Sequence, residues 1–382
     1  MLAALTAALA LHLMPASASD FSQPWKNPDR ALIIDAYEYN PIDWDKLVTD
    51  KRIVGFINKA SDGLAPAYSC KGDETQVRLC KALWRRHAVT RELYQTRRAM
   101  AKALGLKWGA YHLARPGNPI DQANNFLDFA QPGPDDLMAL DIEENDPKNW
   151  MSLQDAEQFV RHIQSRTGRY PILYTNGSTA QFIAENRDKY PLLSRLPLWY
   201  ARYKQEIGPH FPKGNWQTYT LWQFAARANC NAKSCPYRVP GTPTDIDVNV
   251  ASMNPDELRS AWPFGKLLDV REDLIAKAPN GPEVAVNGDT TLAYASAPQS
   301  GPLAALENAL SGKHSAKPGK KEAEVPLPDL LALPEGSLLS RFGTYVSSLR
   351  DRMVEWSLGG QELPPGLDPT VSGGTPAKAD RL

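Results

Sequence analysis

The 382-residue sequence carries no net charge, with 43 Lys and Arg against 43 Asp and Glu. That balance excludes the broad basic field expected of a chain whose main partner is nucleic acid or an anionic membrane. Aromatic residues are scarce beyond position 265, where only Tyr294, Phe342, Tyr345 and Trp356 occur among 34 in the whole chain. The same stretch holds 12 of the 32 prolines and 12 of the 25 glycines. Such a mix buries too little apolar surface to offset chain entropy. A largely disordered C-terminal tail is therefore expected, with a Pro/Gly-rich linker over 266–334 and a terminal segment over 359–382. Between them, residues 335–358 place Leu338, Phe342, Tyr345, Val346, Leu349, Met353 and Trp356 at helical spacing. That spacing predicts an amphipathic helix, which either packs on the main domain or docks on a partner or envelope surface. No internal repeat is present.

No apolar run reaches the roughly 20 residues of a membrane-spanning helix. The run from Leu2 to about Leu13 is followed by Pro15 and by Ala16-Ser17-Ala18, a small-x-small cleavage pattern. Residues 1–18 read as a signal peptide, which would make the mature protein secreted or periplasmic. No Lys or Arg precedes the run, and a buried N-terminal helix is the competing reading. Cysteines number only four. In an oxidising compartment they are expected as two local disulfides, Cys70 with Cys80 and Cys230 with Cys235, each closing a short polar stretch. Other connectivities and free buried thiols stay open at this point.

Residues 19–265 alternate β-rich runs with helical stretches over about the ~250 residues of a β/α barrel. The candidate strands are Ala31 to Tyr37, Arg52 to Ala60, Lys107 to Ala114, Leu137 to Glu144, Pro171 to Asn176, Pro197 to Tyr203, Tyr219 to Ala225 and Thr244 to Val250. Their continuous apolar character fits a parallel sheet buried on both faces. Helices are predicted over Val89 to Leu104, Pro119 to Ala130 and Ser152 to Thr167, the last opening on a Ser152-x-x-Asp155 capping signal. Little helical pattern separates the last three strands. The expected fold is thus α/β, a TIM-like barrel with helices reduced in its last turns. A doubly wound open sheet is the alternative, but no Gly-rich phosphate turn follows any strand.

The segment LMALDIEEN is apolar and then abruptly presents Asp141, Glu143 and Glu144. Uncompensated carboxylates at the end of a buried strand are expensive. In a strand, Asp141 and Glu143 project from one face with backbone positions roughly 6.5 Å apart. Glycosidic bond cleavage needs such a pair, a protonated acid for the leaving oxygen and an ionised group for the charge at the anomeric carbon. A solvated strand end is the bland alternative for an isolated D-x-E. Here Asp35 ends the first strand and Asp247 sits in the last, so acids gather where barrel enzymes place catalytic groups. Tyr111 and His112, Tyr174, Trp199, and Trp222 with Gln223 lie in neighbouring strands. They are candidates for stacking on sugar rings and hydrogen bonding to hydroxyls, with core packing the competing reading for each aromatic.

Several stretches together resemble glycoside hydrolase family 25, the Chalaropsis-type lysozymes. IIDAYEYNPIDW resembles the family's opening strand, INKASDG its I-K-A-T/S-E-G, and GAYHLARP its G-A-Y-H motif. LDIEEN resembles the D-x-E strand, PLWYA and LWQF the two tryptophan strands, and DIDVNV the closing V-D-x-N. The resemblance covers 31–250 and leaves the tail out. It implies an N-acetylmuramidase acting on the β-1,4 bond between N-acetylmuramic acid and N-acetylglucosamine. Glu143 would be the acid/base, Asp141 its carboxylate partner, and Asp35 and Asp247 further acids of the cleavage subsite. It also implies a monomer that acts on peptidoglycan glycan strands without a metal or organic cofactor. Two departures stand out: Tyr37, Glu38 and Tyr39 replace the usual residues after the first strand, and the insertion from Ala65 to Val89 carries Cys70 and Cys80. A glycosidase for chitin-like polymers is one alternative, though the additional Asp of that pattern is Ala139 here. A wall-binding protein without turnover is the other, and it would have no need of four mutually repelling acids.

Overall fold

The computed structural model describes residues 20–243 and 246–270. The expected signal peptide, amphipathic helix and terminal segment lie outside the described residues, as does the expected linker from 271 on; its first residues pack on the barrel, with Leu268 N–H donating to the Arg195 carbonyl at 2.7 Å. Eight strands close a barrel in chain order: β1 (Leu32–Ala36), β2 (Ile53–Asp62), β3 (Lys107–Leu113), β4 (Leu137–Asp141), β5 (Ile172–Asn176), β6 (Leu198–Ala201), β7 (Leu221–Ala225) and β8 (Asp247–Ala251). Helices α1 (Trp44–Leu47), α2 (Glu74–Ala103), α3 (Pro119–Ala130), α4 (Leu153–Thr167) and α5 (Gly177–Glu185) follow β1 to β5 in turn, and α6 (Pro255–Ala261) follows β8. Between β6 and β7 only a single 3-10 turn intervenes, Gly208–His210. No helix is described between β7 and β8. Among the described residues no helix is long and apolar enough to cross a membrane.

One strand departs from the expected parallel sheet. β1 to β7 pair in parallel, but β8 runs antiparallel to both of its neighbours. The reason is the connection: a parallel neighbour needs a crossover of a dozen or more residues, usually helical, whereas an antiparallel one can return by a loop. Asp247 therefore stands at the start of its strand rather than at the end. Reversal of the strand brings that start to the same mouth as the C-terminal ends of the others, with Asp247 opposite Asp35 in the register.

The helices form where local signals agree with burial. In α4, Ser152 caps Asp155 N–H at 3.1 Å, and Ala156, Phe159, Val160 and Ile163 form the buried stripe. Such a stripe facing the sheet supplies most of the helix's stability. Truncating Phe159 to Ala would cost about 3–5 kcal/mol. Helix α2 begins fifteen residues before the predicted start because Asp73 and Gln76 form a reciprocal capping box. Much of the expected cysteine loop is consequently helix, and Cys80 lies within it, bonded to Cys70. The second disulfide joins Cys230 to Cys235. Inside the barrel, a side chain at Gly109 would put its Cβ 3.0 Å from Ile57 Cγ1 and 3.2 Å from Leu137 Cδ2. The interior is packed to the point where that position needs glycine.

Candidate active site

The register sorts the candidate residues by which way they face, since neighbours along a strand alternate between barrel interior and exterior. Asp141 pairs with Tyr174, Tyr174 with Trp199, Gln223 with Asn249, and Asp247 with Asp35. All seven lie on the interior face, together with Tyr111. His112 and Trp222, each next to an inward residue, face outward. Their expected place against substrate is thus corrected by geometry. His112 stacks on Phe159 at 5.1 Å and sits between Ser61 and Gln122. Gln122 Oε1 already accepts the Arg115 backbone N–H at 3.0 Å, so the imidazole donates from Nε2 and accepts the Ser61 hydroxyl at Nδ1. Burial holds its pKa down at about 4, which keeps the ring neutral. Trp222 donates to the Arg202 carbonyl at 2.7 Å and packs edge-on against Trp25 and Tyr219.

Asp35 is the hub of the interior group. Asn249 Nδ2 donates to its Oδ2 at 2.6 Å, and Gln223 Nε2 donates at 3.2 Å. Asn249 is itself fixed by Trp199, whose indole N–H donates to its Oδ1 at 2.5 Å. Gln223 Oε1 accepts from the hydroxyls of Tyr174 at 2.8 Å and Tyr203 at 2.6 Å. The donors behind Asn249 and Gln223 thus fix both amides with an N–H toward the carboxylate. Burial nevertheless outweighs these hydrogen bonds and lifts the Asp35 pKa to about 6. Trp199 is 1 % exposed, so it forms the floor beneath the acids rather than a surface for a ring to stack on. Tyr111 and Tyr174 retain slight exposure; burial raises the pKa of both phenols, and the charges of Asp141 and Asp247 raise them further.

Asp141 and Glu143 behave differently from an ordinary solvated strand end. The assigned strand stops at Asp141, but Ile142 N–H donates to the Tyr174 carbonyl at 3.0 Å and Asn176 N–H to the Glu143 carbonyl at 3.4 Å. Those bonds continue the β4–β5 pairing past the strand and hold the two carboxylates in extended backbone. Burial raises Asp141 well above the usual carboxylate range, and the adjacent Glu143 raises it further. Its Oδ1 is buried without a hydrogen-bond partner, an arrangement that costs energy unless a ligand or a proton meets it. Burial likewise raises Glu143 to about 7, against the opposing pull of Arg115. Arg115 lies over the Trp150 ring at 4.9 Å and pairs with Asp62 at 2.9 Å.

A further carboxylate at this end is fully compensated. Glu38 contacts Lys59 Nζ at 2.8 Å and Arg86 at 2.9 Å. Burial would raise its pKa, but the two cations overcome that and hold it at about 2. Arg86 lies in the part of α2 that belongs to the 65–89 insertion, so the unusual residue after the first strand and the unusual insertion meet each other. Buried Arg97 braces the same turn through the carbonyls of Tyr37 and Asn40 and Asn58 Oδ1.

Reading the sequence in adjacent pairs missed Asn249 and Tyr203 as parts of the site. The signal for Asn249 is the two-residue step from Asp247, the same step that links Asp141 with Glu143. A group holding protons to near neutrality, next to carboxylates that burial pushes toward the neutral form, can perform general acid and base chemistry on a neutral substrate.

Residues 87–232 match the family model described as Glycosyl hydrolases family 25. No protein of curated function matches the chain in sequence. Among solved structures, a muramidase from Acremonium alcalophilum is similar at 22 % identity and a TM-score of 0.43, covering 60 % of this chain and 98 % of its own. A bacterial lysozyme from Streptomyces coelicolor is 22 % identical with a TM-score of 0.41, covering 60 % and 95 %. A family GH25 lysozyme from Aspergillus fumigatus is 19 % identical with a TM-score of 0.41, covering 62 % and 99 %.

Proposed function

Because the chain carries a glycosyl hydrolase family 25 domain and is a glycoside hydrolase of lysozyme type, we propose that it is an N-acetylmuramidase of peptidoglycan. The bond cleaved is the β-1,4 link between N-acetylmuramic acid and N-acetylglucosamine, and the protein acts as a monomer outside the cytoplasm. The observation that carries this reading is the pair Asp141 and Glu143, enclosed at the barrel mouth with raised proton affinities. The two disulfides support the extracytoplasmic setting, where such bonds persist.

Glu143 is the acid. With a pKa of about 7 it carries a proton through mildly acidic and neutral conditions and gives it to the departing glycosidic oxygen. Positive charge then develops at the anomeric carbon. Asp141 meets it in one of two ways: its carboxylate attacks the carbon, or it holds the N–H of the substrate's N-acetyl group while the acetyl oxygen attacks. The partnerless Oδ1 of Asp141 serves either role. Glu143, now ionised, next takes a proton from water as the water adds to that carbon, with retention of configuration. Asp35 and Asp247 line the cleavage subsite, with Tyr111 and Tyr174 as its walls and Gln223 orienting Asp35.

Mass spectrometry of the soluble products from peptidoglycan tests the proposal, using the whole chain and its Glu143→Gln variant. Fragments ending in reducing N-acetylmuramic acid are expected from the wild type alone. Fragments ending in reducing N-acetylglucosamine would contradict the bond assigned. Retention of the protein on sedimented wall without any product would favour the binding-only alternative.

A further inference from the structure

Outside the group of acids, the described residues form a half-open cavity of about 420 Å³ whose lining includes Trp25, Lys26, Tyr203, Lys204, Gln205 and Ser234. That volume falls within the ~300–1,000 Å³ of small-ligand sites. The lining differs in sign from its neighbour. No Asp or Glu contributes to it, whereas two lysines do, and neither lysine forms an ion pair among the described residues. The floor is rigid, since Trp25 is stacked on Phe224 at 4.3 Å with the rings 2° from parallel. One wall is the second disulfide loop, through Ser234 and Cys235. Gln23, another lining residue, holds a left-handed backbone at φ 47°, a conformation that costs a non-glycine residue energy.

Tyr203 joins the two places. It lines the cavity, and its hydroxyl donates to Gln223 Oε1, the amide that also holds Asp35. A ligand group in the cavity is therefore one side chain away from the cleavage subsite. The acid-lined mouth repels anions, and the cavity attracts them. A polymer fitted to both has a neutral sugar backbone and an anionic branch close to the reacting sugar. Chitin-like chains lack the branch; in peptidoglycan the lactyl group of N-acetylmuramic acid bears a peptide with free carboxylates.

We propose that this cavity is a subsite for the acidic stem peptide carried by the muramic sugar next to the cleaved bond. The inference rests on the muramidase reading and extends it from the glycan to its substituent. Lys26 and Lys204 receive the carboxylates, Gln205 and Ser234 meet the peptide amides, and Tyr203 takes the aliphatic parts.

The test compares kcat/KM on glycan strands that retain their stem peptides with kcat/KM on the same strands stripped by an amidase. For the wild-type chain the peptide-bearing strands should be preferred about fivefold at low salt, the size expected of two partly exposed charge contacts. The preference should shrink as salt screens it. In Lys26→Gln/Lys204→Gln the ratio should fall toward one while the melting temperature stays at the wild-type value. A ratio unchanged in the double variant, or no preference in the wild type, overturns the proposal. If neither strand is hydrolysed, the muramidase reading is what fails. Titration of Trp fluorescence with the isolated tetrapeptide L-alanyl-γ-D-glutamyl-diaminopimelyl-D-alanine then decides the cavity separately. Saturable binding that the double variant loses supports the site, and its absence at millimolar peptide refutes it.

Discussion

Glu38 and Glu143 are glutamates at the same end of one barrel, yet the first is held at about 2 and the second lifted to about 7. Burial acts on both in the same direction. The difference is compensation: Glu38 has Lys59 and Arg86 at hydrogen-bond distance, whereas Glu143 has only the more remote influence of Arg115 and lies beside other acids. One half of the mouth is an ion-paired brace and the other a proton store. A buried carboxylate therefore indicates chemistry only after its partners have been counted.

The largest way to break the contrast is to remove the stored proton. Glu143→Gln should lower turnover by at least about 10³-fold, within the range for loss of a positioned acid, with unchanged circular dichroism. Asp141→Asn comes next, at about 10²-fold. Activity regained by adding azide or formate to an Asp141→Ala variant would mark direct attack by the carboxylate and count against assistance to an acetyl group.

On the braced side the effect is on stability. Glu38→Gln leaves Lys59, whose side chain is 7 % exposed, without its carboxylate, and should cost about 3 kcal/mol in chemical denaturation. An unchanged denaturation midpoint would show that the brace contributes nothing. Because the folded pKa of Glu38 lies below its ordinary value of 4.5, its contribution is complete above about pH 4.5 and is lost as pH falls toward 2.

The smallest effect separates the two glutamates by pH alone. Glu143 has a folded pKa above 4.5, so its stability contribution is intact below pH 4.5 and is lost as pH rises through about 7. Glu143→Gln should consequently melt a few degrees above wild type at pH 8 and level with it at pH 4. The alkaline limb of the wild-type rate profile should fall near the same pH 7 for the same reason.

Much of this arrangement was legible in the sequence. Apolar runs located all eight strands, and abrupt acids at their ends located the mouth. Three things were not. The direction of β8 depends on a loop that carries no helical pattern, and apolar runs do not encode direction. His112 and Trp222 were drawn in by their inward neighbours Tyr111 and Gln223, although strict alternation sends one of each pair outward. The compensation of Glu38 depends on Arg86, forty-eight positions away, on a helix whose early start hung on one capping box.

The antiparallel return of β8 also bears on when the site exists. The hydrogen bond from Asn249 to Asp35 spans 214 positions and that from Gln223 spans 188, so the seam joining the first and last strands is both the closure of the fold and the scaffold of the proposed reacting groups. Opening of that seam alone returns Asp35 to water and its proton affinity to the ordinary carboxylate range. Catalytic competence is thus tied to the contacts of highest sequence separation, and amide exchange at Val248 and Val250 would measure the lifetime of the active form as directly as an assay.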